Sequence, residues 1–328
     1  MNNNLFATAA AWDSPVYRQT VLIVLIVIFA GAAINFIFRK KNQYFMIAWA
    51  SIKSWLILAP LMFGLMGMRA PIPIIFLTAL AIYGAKVYFQ ILGMFHQSHF
   101  VYICYLGIIG LGVFSQMNSL AAYNEMPMFV LGLSCLVPLI KRDYKDMIQY
   151  MSLTLLGFIF LGWSFMHLGL ILNFENGIYQ VMYLIILTEF CDNTNLALSR
   201  YLKGKGTKII SEINSRRTWL STGISILVTI ALAWGMRFLL PNSSDEYWLA
   251  SGLIASFGGV IGDMVMSVIR RDAGVKIVNG FILGRGDFLQ RMDRLIFVAP
   301  IYYFVMLGLN LCDHGLTRTS NGQSFPPT

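Results

Sequence analysis

Between residues 262 and 294 the chain reads GDMVMSVIRRDAGVKIVNGFILGRGDFLQRMDR, its densest run of polar and charged side chains. Asp263, Ser267 and Arg270 or Arg271 fall at i, i+4 and i+7 or i+8, which on a helix lays them along one face. Lys276 follows in a Gly-Val-Lys turn, and Gly284-Arg285-Gly286-Asp287 supplies a glycine-rich backbone that can approach phosphates closely. Gln290 and Asp293, at i and i+3, share a face of the helix that starts there. Carboxylates beside basic side chains and a glycine loop suit Mg2+-assisted phosphoryl or nucleotidyl transfer. Oxygen ligands would hold the metal, and cations would neutralise phosphate charge as it shifts in the transition state. A basic loop beside a salt-bridged Asp accounts for the same residues, and spacing alone does not separate the two readings.

The elements that carry these residues are dictated by composition. Of 328 residues, 57% are hydrophobic and only 12% charged, about half the charged share of a soluble domain. Mean hydropathy is +0.67. Such a chain has too little polar side chain to cover a water-facing surface. Ten segments approach the length and apolarity of a membrane-spanning helix: 17–38, 45–68, 72–94, 99–118, 126–140, 148–171, 177–198, 219–240, 246–269 and 295–313. The expected fold is therefore all-α, a polytopic integral membrane protein of about ten transmembrane helices. Its parts are an N-terminal set of spans over 1–172, a C-terminal catalytic region over 173–313 and a polar tail, 314–328, expected to be disordered. Asp192 lies in the seventh span and Asp263 in the ninth, where a carboxylate is costly unless paired or metal-bound.

Orientation follows from the basic residues. Loops after odd-numbered spans carry eighteen of them, twelve in the two loops 200–217 and 270–294. The opposite side carries Arg18, Arg69, Arg237 and Arg318, with Lys53 and Lys86 inside spans and expected to snorkel. This asymmetry places the odd-span loops in the cytoplasm and both termini outside. It also explains the net charge of +9 without a nucleic-acid partner. The first residues lack a basic n-region, so residues 20–38 read as a retained span rather than a cleaved signal. The four cysteines, without CxxC spacing, suggest neither zinc nor a disulfide framework. His167 reads as a packed interfacial residue.

The order Gly262-Asp263, four residues, Ser267, two residues, Arg270-Arg271, then Gly274-Val275-Lys276 resembles the C-terminal signature of the phosphatidate cytidylyltransferases, or CDP-diacylglycerol synthases. That signature reads roughly GD-x4-S-x2-KR-x3-GVKD, then PGHGG, then LDR-x-D. The match continues through Gly284, Gly286, Leu289, Arg291 and Asp293. A second block agrees: Asp192-Asn193-Thr194-Asn195 stands near a helix end, and Arg217-Thr218-Trp219 stands where the family has KTW. The resemblance covers about residues 180–305. This chain departs from it at Ile277 for the Asp after GVK, at Gln290 for the Asp of LDR, and at Asn214-Ser215 for SP. PGHGG becomes Leu283-Gly284-Arg285-Gly286-Asp287.

The resemblance implies a nucleotidyltransferase of phospholipid biosynthesis that condenses CTP with phosphatidic acid to CDP-diacylglycerol and pyrophosphate. It implies Mg2+ as cofactor, held by Asp263 and Asp293 with Asp287 and Gln290 as further candidates. Arg270, Arg271 and Lys276 would neutralise phosphates beside the metal, and Arg216 and Arg217 would bind them from the second block. Asp192, Asn195, Thr218, Ser267 and Arg291 would bind and orient the substrates. The expected setting is the bacterial inner membrane with the site facing the cytoplasm, with lipid and a second copy of the chain as partners. Three alternatives stay open: an enzyme acting on another lipid phosphate, an impaired relative that binds lipid or a partner, and a transporter.

Overall fold

Without water to hydrogen-bond, a backbone within the bilayer core must satisfy itself, and helices do so within one segment. A computed structural model describes residues 10–38, 43–142, 144–202, 206–210, 217–240, 245–272 and 288–320. Among these lie ten long helices: α1 Pro15–Phe38, α2 Gln43–Met66, α3 Ile72–Ile91, α4 Ser98–Gln116 and α5 Leu120–Lys141. They continue with α6 Met147–Ile171, α7 Gly177–Tyr201, α8 Trp219–Gly235, α9 Asp245–Asp272 and α10 Phe288–Ser320. The middle of α6, Phe158–Ser164, is wound as a π-helix. The protein is all-α and multi-pass. Seven of the helices (α1, α3, α4, α5, α6, α9 and α10) are long and apolar enough to cross a membrane. Helix α7 has the length, but Glu189, Asp192, Asn193 and Asn195 make it the polar rod among them.

The core is aromatic and centred on α3 to α6, where Tyr88, Phe89, Phe100, Tyr123, Phe158 and Phe165 are buried. His167 is fully buried among Tyr123, Trp163 and Tyr303, with Nδ1 2.7 Å from the Trp163 carbonyl. It is a core residue rather than an interfacial one. Helix α1 is the opposite case. Leu22, Ile23, Ile26 and Phe29 are exposed, as suits a helix facing lipid. It is anchored at its start, where the Tyr17 hydroxyl donates to the Phe63 carbonyl at 2.5 Å and the Tyr179 hydroxyl to Ser14 Oγ at 2.7 Å.

Helices claim more of the polar stretches than expected. Helix α9 runs through Arg270 and Arg271 to Asp272, and α10 already begins at Phe288, so both ends of the 270–294 stretch are helical. Helix α10 also continues to Ser320, into the tail expected to be disordered. Extending an existing helix avoids the unfavourable nucleation step. Lys86 is exposed; the side chain of Lys53 lies outside the described residues. Cys104, Cys135 and Cys191 are free thiols.

Gly258 and Gly262, one turn apart on α9, let α10 come unusually close. A Cβ on Gly262 would sit 2.3 Å from the Asp293 carbonyl oxygen and 3.0 Å from the Arg294 Cα. Small residues allow backbones in membranes to meet in this way. The expected outcome for Gly262→Val is a thermal melting curve in detergent shifted down by the equivalent of about 1–3 kcal/mol, the usual cost of overpacking. Gly223→Ala on α8, whose Cβ meets open space, should be neutral or slightly stabilising.

Candidate active site

The site is assembled around the start of α8. Residues 207–209 and 217–219 run antiparallel: the Ile209 N–H donates to the Arg217 carbonyl at 3.2 Å and the Trp219 N–H to the Thr207 carbonyl at 3.0 Å. Thr218 caps α8. Its Oγ1 accepts from the Ser221 N–H at 3.2 Å, and Ser221 Oγ accepts from the Thr218 N–H at 3.3 Å. This is a reciprocal cap with Ser in the place usually taken by Glu or Gln. Bridge and cap together hold the Arg217 backbone in place.

The buried Arg217 guanidinium joins two helices. Its Nε donates to Asp263 Oδ2 of α9 and its Nη2 to Asp192 Oδ1 of α7, both at 2.8 Å. The other oxygen of Asp192 lies 3.0 Å from Arg294 Nη2 of α10, and Arg294 Nη1 lies 3.0 Å from Glu189 Oε2. Arg270 donates to Asp293 Oδ2. Beside this network, Asn195 Nδ2 donates to Thr222 Oγ1 at 2.8 Å, and Asn195 Oδ1 accepts from Ser221 Oγ at 3.3 Å. Ser267 Oγ is turned back to its own helix, donating to the Asp263 carbonyl at 2.6 Å.

Four helices thus bring together Asp192, Asn195, Arg217, Thr218, Asp263, Ser267, Arg270 and Asp293 from the expected set. Arg271 is exposed at the end of α9. Lys276, Arg216 and Asp287 lie outside the described residues, as do the side chains of Gln290 and Arg291 in the first turn of α10. The helical-face reading paired Asp263 with Arg270 or Arg271. The partner found is Arg217, because the close approach of α10 gives Arg270 its own carboxylate, Asp293. Glu189 and Arg294 were missed. Glu189 precedes Asp192 by three residues and so shares its face; Arg294 is the neighbour of a candidate ligand.

Among the described residues the ion pairs run Glu189–Arg294–Asp192–Arg217–Asp263, with Arg270–Asp293 as a separate pair. Asp293 Oδ1 is buried and, among the described residues, has no hydrogen-bond partner, an expensive state for an anionic oxygen. A hard divalent cation suits that atom. Among the described residues no three His, Cys, Asp or Glu side chains gather tightly enough to cage a metal. Mg2+ needs no such cage, since it binds through one or two carboxylates together with water and substrate phosphates.

The sequence profile described as "Cytidylyltransferase family" matches residues 49–309. An Escherichia coli (strain K12) protein described as "Uncharacterized protein YnbB" is 34% identical over 137 residues, 40% of this chain and 44% of its own length. A phosphatidate cytidylyltransferase of Synechocystis sp. is 31% identical over 147 residues, 41% of this chain and 46% of its own. One from Bacillus subtilis is 27% identical over 190 residues, 56% of this chain and 67% of its own. The chain spans less than half the length of the first two.

Arg217 carries more of the local stability than either carboxylate it joins. Arg217→Met removes a cation from the buried Asp263 and leaves Asp192 its contact with Arg294, and should cost about 3–5 kcal/mol. Asp263→Asn leaves Arg217 still paired with Asp192 and should cost only about 1–3 kcal/mol. Denaturant titration of the two purified variants in one detergent checks the order; a larger loss for Asp263→Asn would contradict it.

Proposed function

The chain belongs to the cytidylyltransferase family, and we propose that it is a phosphatidate cytidylyltransferase, joining CTP to phosphatidic acid and releasing pyrophosphate. One observation carries the reading. Arg217 ties Asp192, 25 residues away, to Asp263, 46 residues away. Asp192 of α7, the Arg-Thr-Trp block and the GD-x4-S-x2-RR block therefore converge on one guanidinium.

In the proposed reaction an anionic oxygen of the lipid phosphate attacks the α-phosphorus of CTP. A P–O bond forms there as the bond to the bridging oxygen of the leaving pyrophosphate breaks, and the electron pair departs with pyrophosphate. The attacking group is already charged, so no Ser or Cys nucleophile is required, and positioning with charge neutralisation supplies the catalysis. Asp263 and Asp293 would hold Mg2+, with Asp287 and Gln290 as further candidates; when bound, the ion would polarise the phosphates and offset their charge. Arg270, Arg271, Lys276 and Arg216 neutralise phosphate oxygens. Arg217, committed to Asp192 and Asp263, acts as a positioning residue. Asn195, Thr218, Ser267 and Arg291 orient the substrates.

The proposed setting is the inner membrane of a bacterium, with the site open to the cytoplasm, where CTP is made, and with a second copy of the chain as partner. A second reading, an impaired relative that binds without turning over, is favoured by Gln290 and Ile277 in place of carboxylates and by the Arg partners of Asp263 and Asp293.

Purified full-length protein in detergent with labelled CTP, phosphatidic acid and Mg2+ should yield labelled liponucleotide and one pyrophosphate per product. Chelation with EDTA, or Asp293→Asn, should lower the rate by at least about a hundredfold. Binding of CTP without product would support the impaired relative instead. Single cysteines replacing Tyr201 and Asp272, at the ends of α7 and α9, should react with an impermeant maleimide only from the cytoplasmic side. Reaction from outside would reverse the orientation.

A further inference from the structure

A cavity of about 380 Å³ lies between α1, α2 and α7, within the range of small-molecule sites. Its α1 wall, Val24, Ile28 and Gly31, lies before the residues matched by the family profile. Its α7 wall runs as one face of the helix from Ile185 to Arg200. At 1.5 Å per residue that face is about 22 Å long, more than one leaflet of a hydrocarbon core about 30 Å thick.

The α7 lining is mostly apolar, with Ile185, Ile186, Phe190, Leu196 and Ala197, interrupted by Glu189 and Asn193 and closed by Arg200. Glu189 is also the partner of Arg294, which pairs with Asp192. The cavity therefore shares a wall residue with the buried ion-pair network. The α1 wall is itself thin and largely exposed on its outer side, where Leu22, Ile23 and Ile26 face outward. A nucleotide would find almost nothing to hydrogen-bond on the α1 and α2 walls. A long apolar chain matches the apolar side chains, and an anionic head matches Arg200 at the end of the α7 wall.

We propose that this cavity receives one acyl chain of the lipid acceptor, with its anionic head at the Arg200 end of α7. Helix α1 then acts as a chain-selecting wall added to the family's common region. The inference rests on the reading of the acceptor as a lipid phosphate, and the labelling arm of its test is read without turnover.

Full-length protein in nanodiscs would be irradiated with phosphatidic acid carrying a diazirine midway along one acyl chain, and the labelled peptides mapped by mass spectrometry. Label is expected in residues 24–31 and 185–197. A Cβ on Gly31 meets only Ile52 Cδ1, at 3.9 Å, so Gly31→Phe grows into the cavity. It should cut the label there about tenfold, the usual discrimination from filling part of an apolar pocket. It should also lower kcat/KM about tenfold further for dioleoyl than for dioctanoyl phosphatidic acid. Gly132→Phe on α5, whose Cβ meets open space, serves as the control and should change neither readout. Wild-type label elsewhere, or equal losses for both chain lengths in Gly31→Phe, would overturn the proposal, and the wild-type map stands even if the variant fails to fold. Label in the cavity without liponucleotide formation would keep the lipid site and remove the cytidylyltransferase reading.

Discussion

A buried guanidinium shared between a buried carboxylate, Asp263, and a half-buried one, Asp192, is the interaction on which the C-terminal half depends. Arg217 reaches Asp192 and Asp263 at the same distance, 2.8 Å. Ionised groups taken out of water cost several kcal/mol each, and only good geometry with their remaining polar atoms satisfied offsets that cost. Three helices must therefore hold their relative positions closely, since a shift of one releases a charge into low dielectric. The antiparallel bridge at 207–209 and the Thr218 cap follow from the same demand: they hold the backbone that presents Arg217.

The glycines of α9 meet that demand from another direction. Because Gly262 lies against the Asp293 carbonyl, α10 delivers both Asp293 and Arg294 to the network. Asp293 gains Arg270, while Arg294 closes the circuit to Asp192 and Glu189. Packing and electrostatics are thus one arrangement here. A larger residue at Gly262 would disturb charge pairs it does not itself touch.

Much of this was legible in the sequence. Among the described residues ten helices coincide with the ten segments read from hydropathy, and seven of them are long and apolar enough to cross a membrane, because apolarity along a helix is a local property of composition. The candidate residues Asp192, Arg217, Asp263 and Asp293 were legible from motif spacing. Their pairing was not, because helical periodicity ranks neighbours along one helix, whereas the partners of Asp263 and Asp293 were decided by how closely α9 and α10 approach. A signal for that approach was present in Gly258-x-x-x-Gly262. Glu189 and Arg294 escaped for a related reason: each is an ordinary charged residue until the fold places it beside an opposite charge. A helix was expected to start near Gln290 and does so at Phe288; only its apolar span was begun later, at 295, because polar side chains in a helix's first turns resemble a loop in composition.

The π-helical turn at Phe158–Ser164 acts on α6 as a change of phase. A π-bulge carries a residue more than the α-helical path requires, and each residue of an α-helix turns the chain by about 100°. Everything from Phe165 to Ile171, all of it buried, therefore occupies an angular position set by that extra residue. Deleting one residue within 158–164 would let the segment relax to an ordinary helix, and His167 would swing away from Tyr123 and Tyr303 toward another side of the bundle. In this helix the residue count, as much as residue identity, encodes which side chains enter the core.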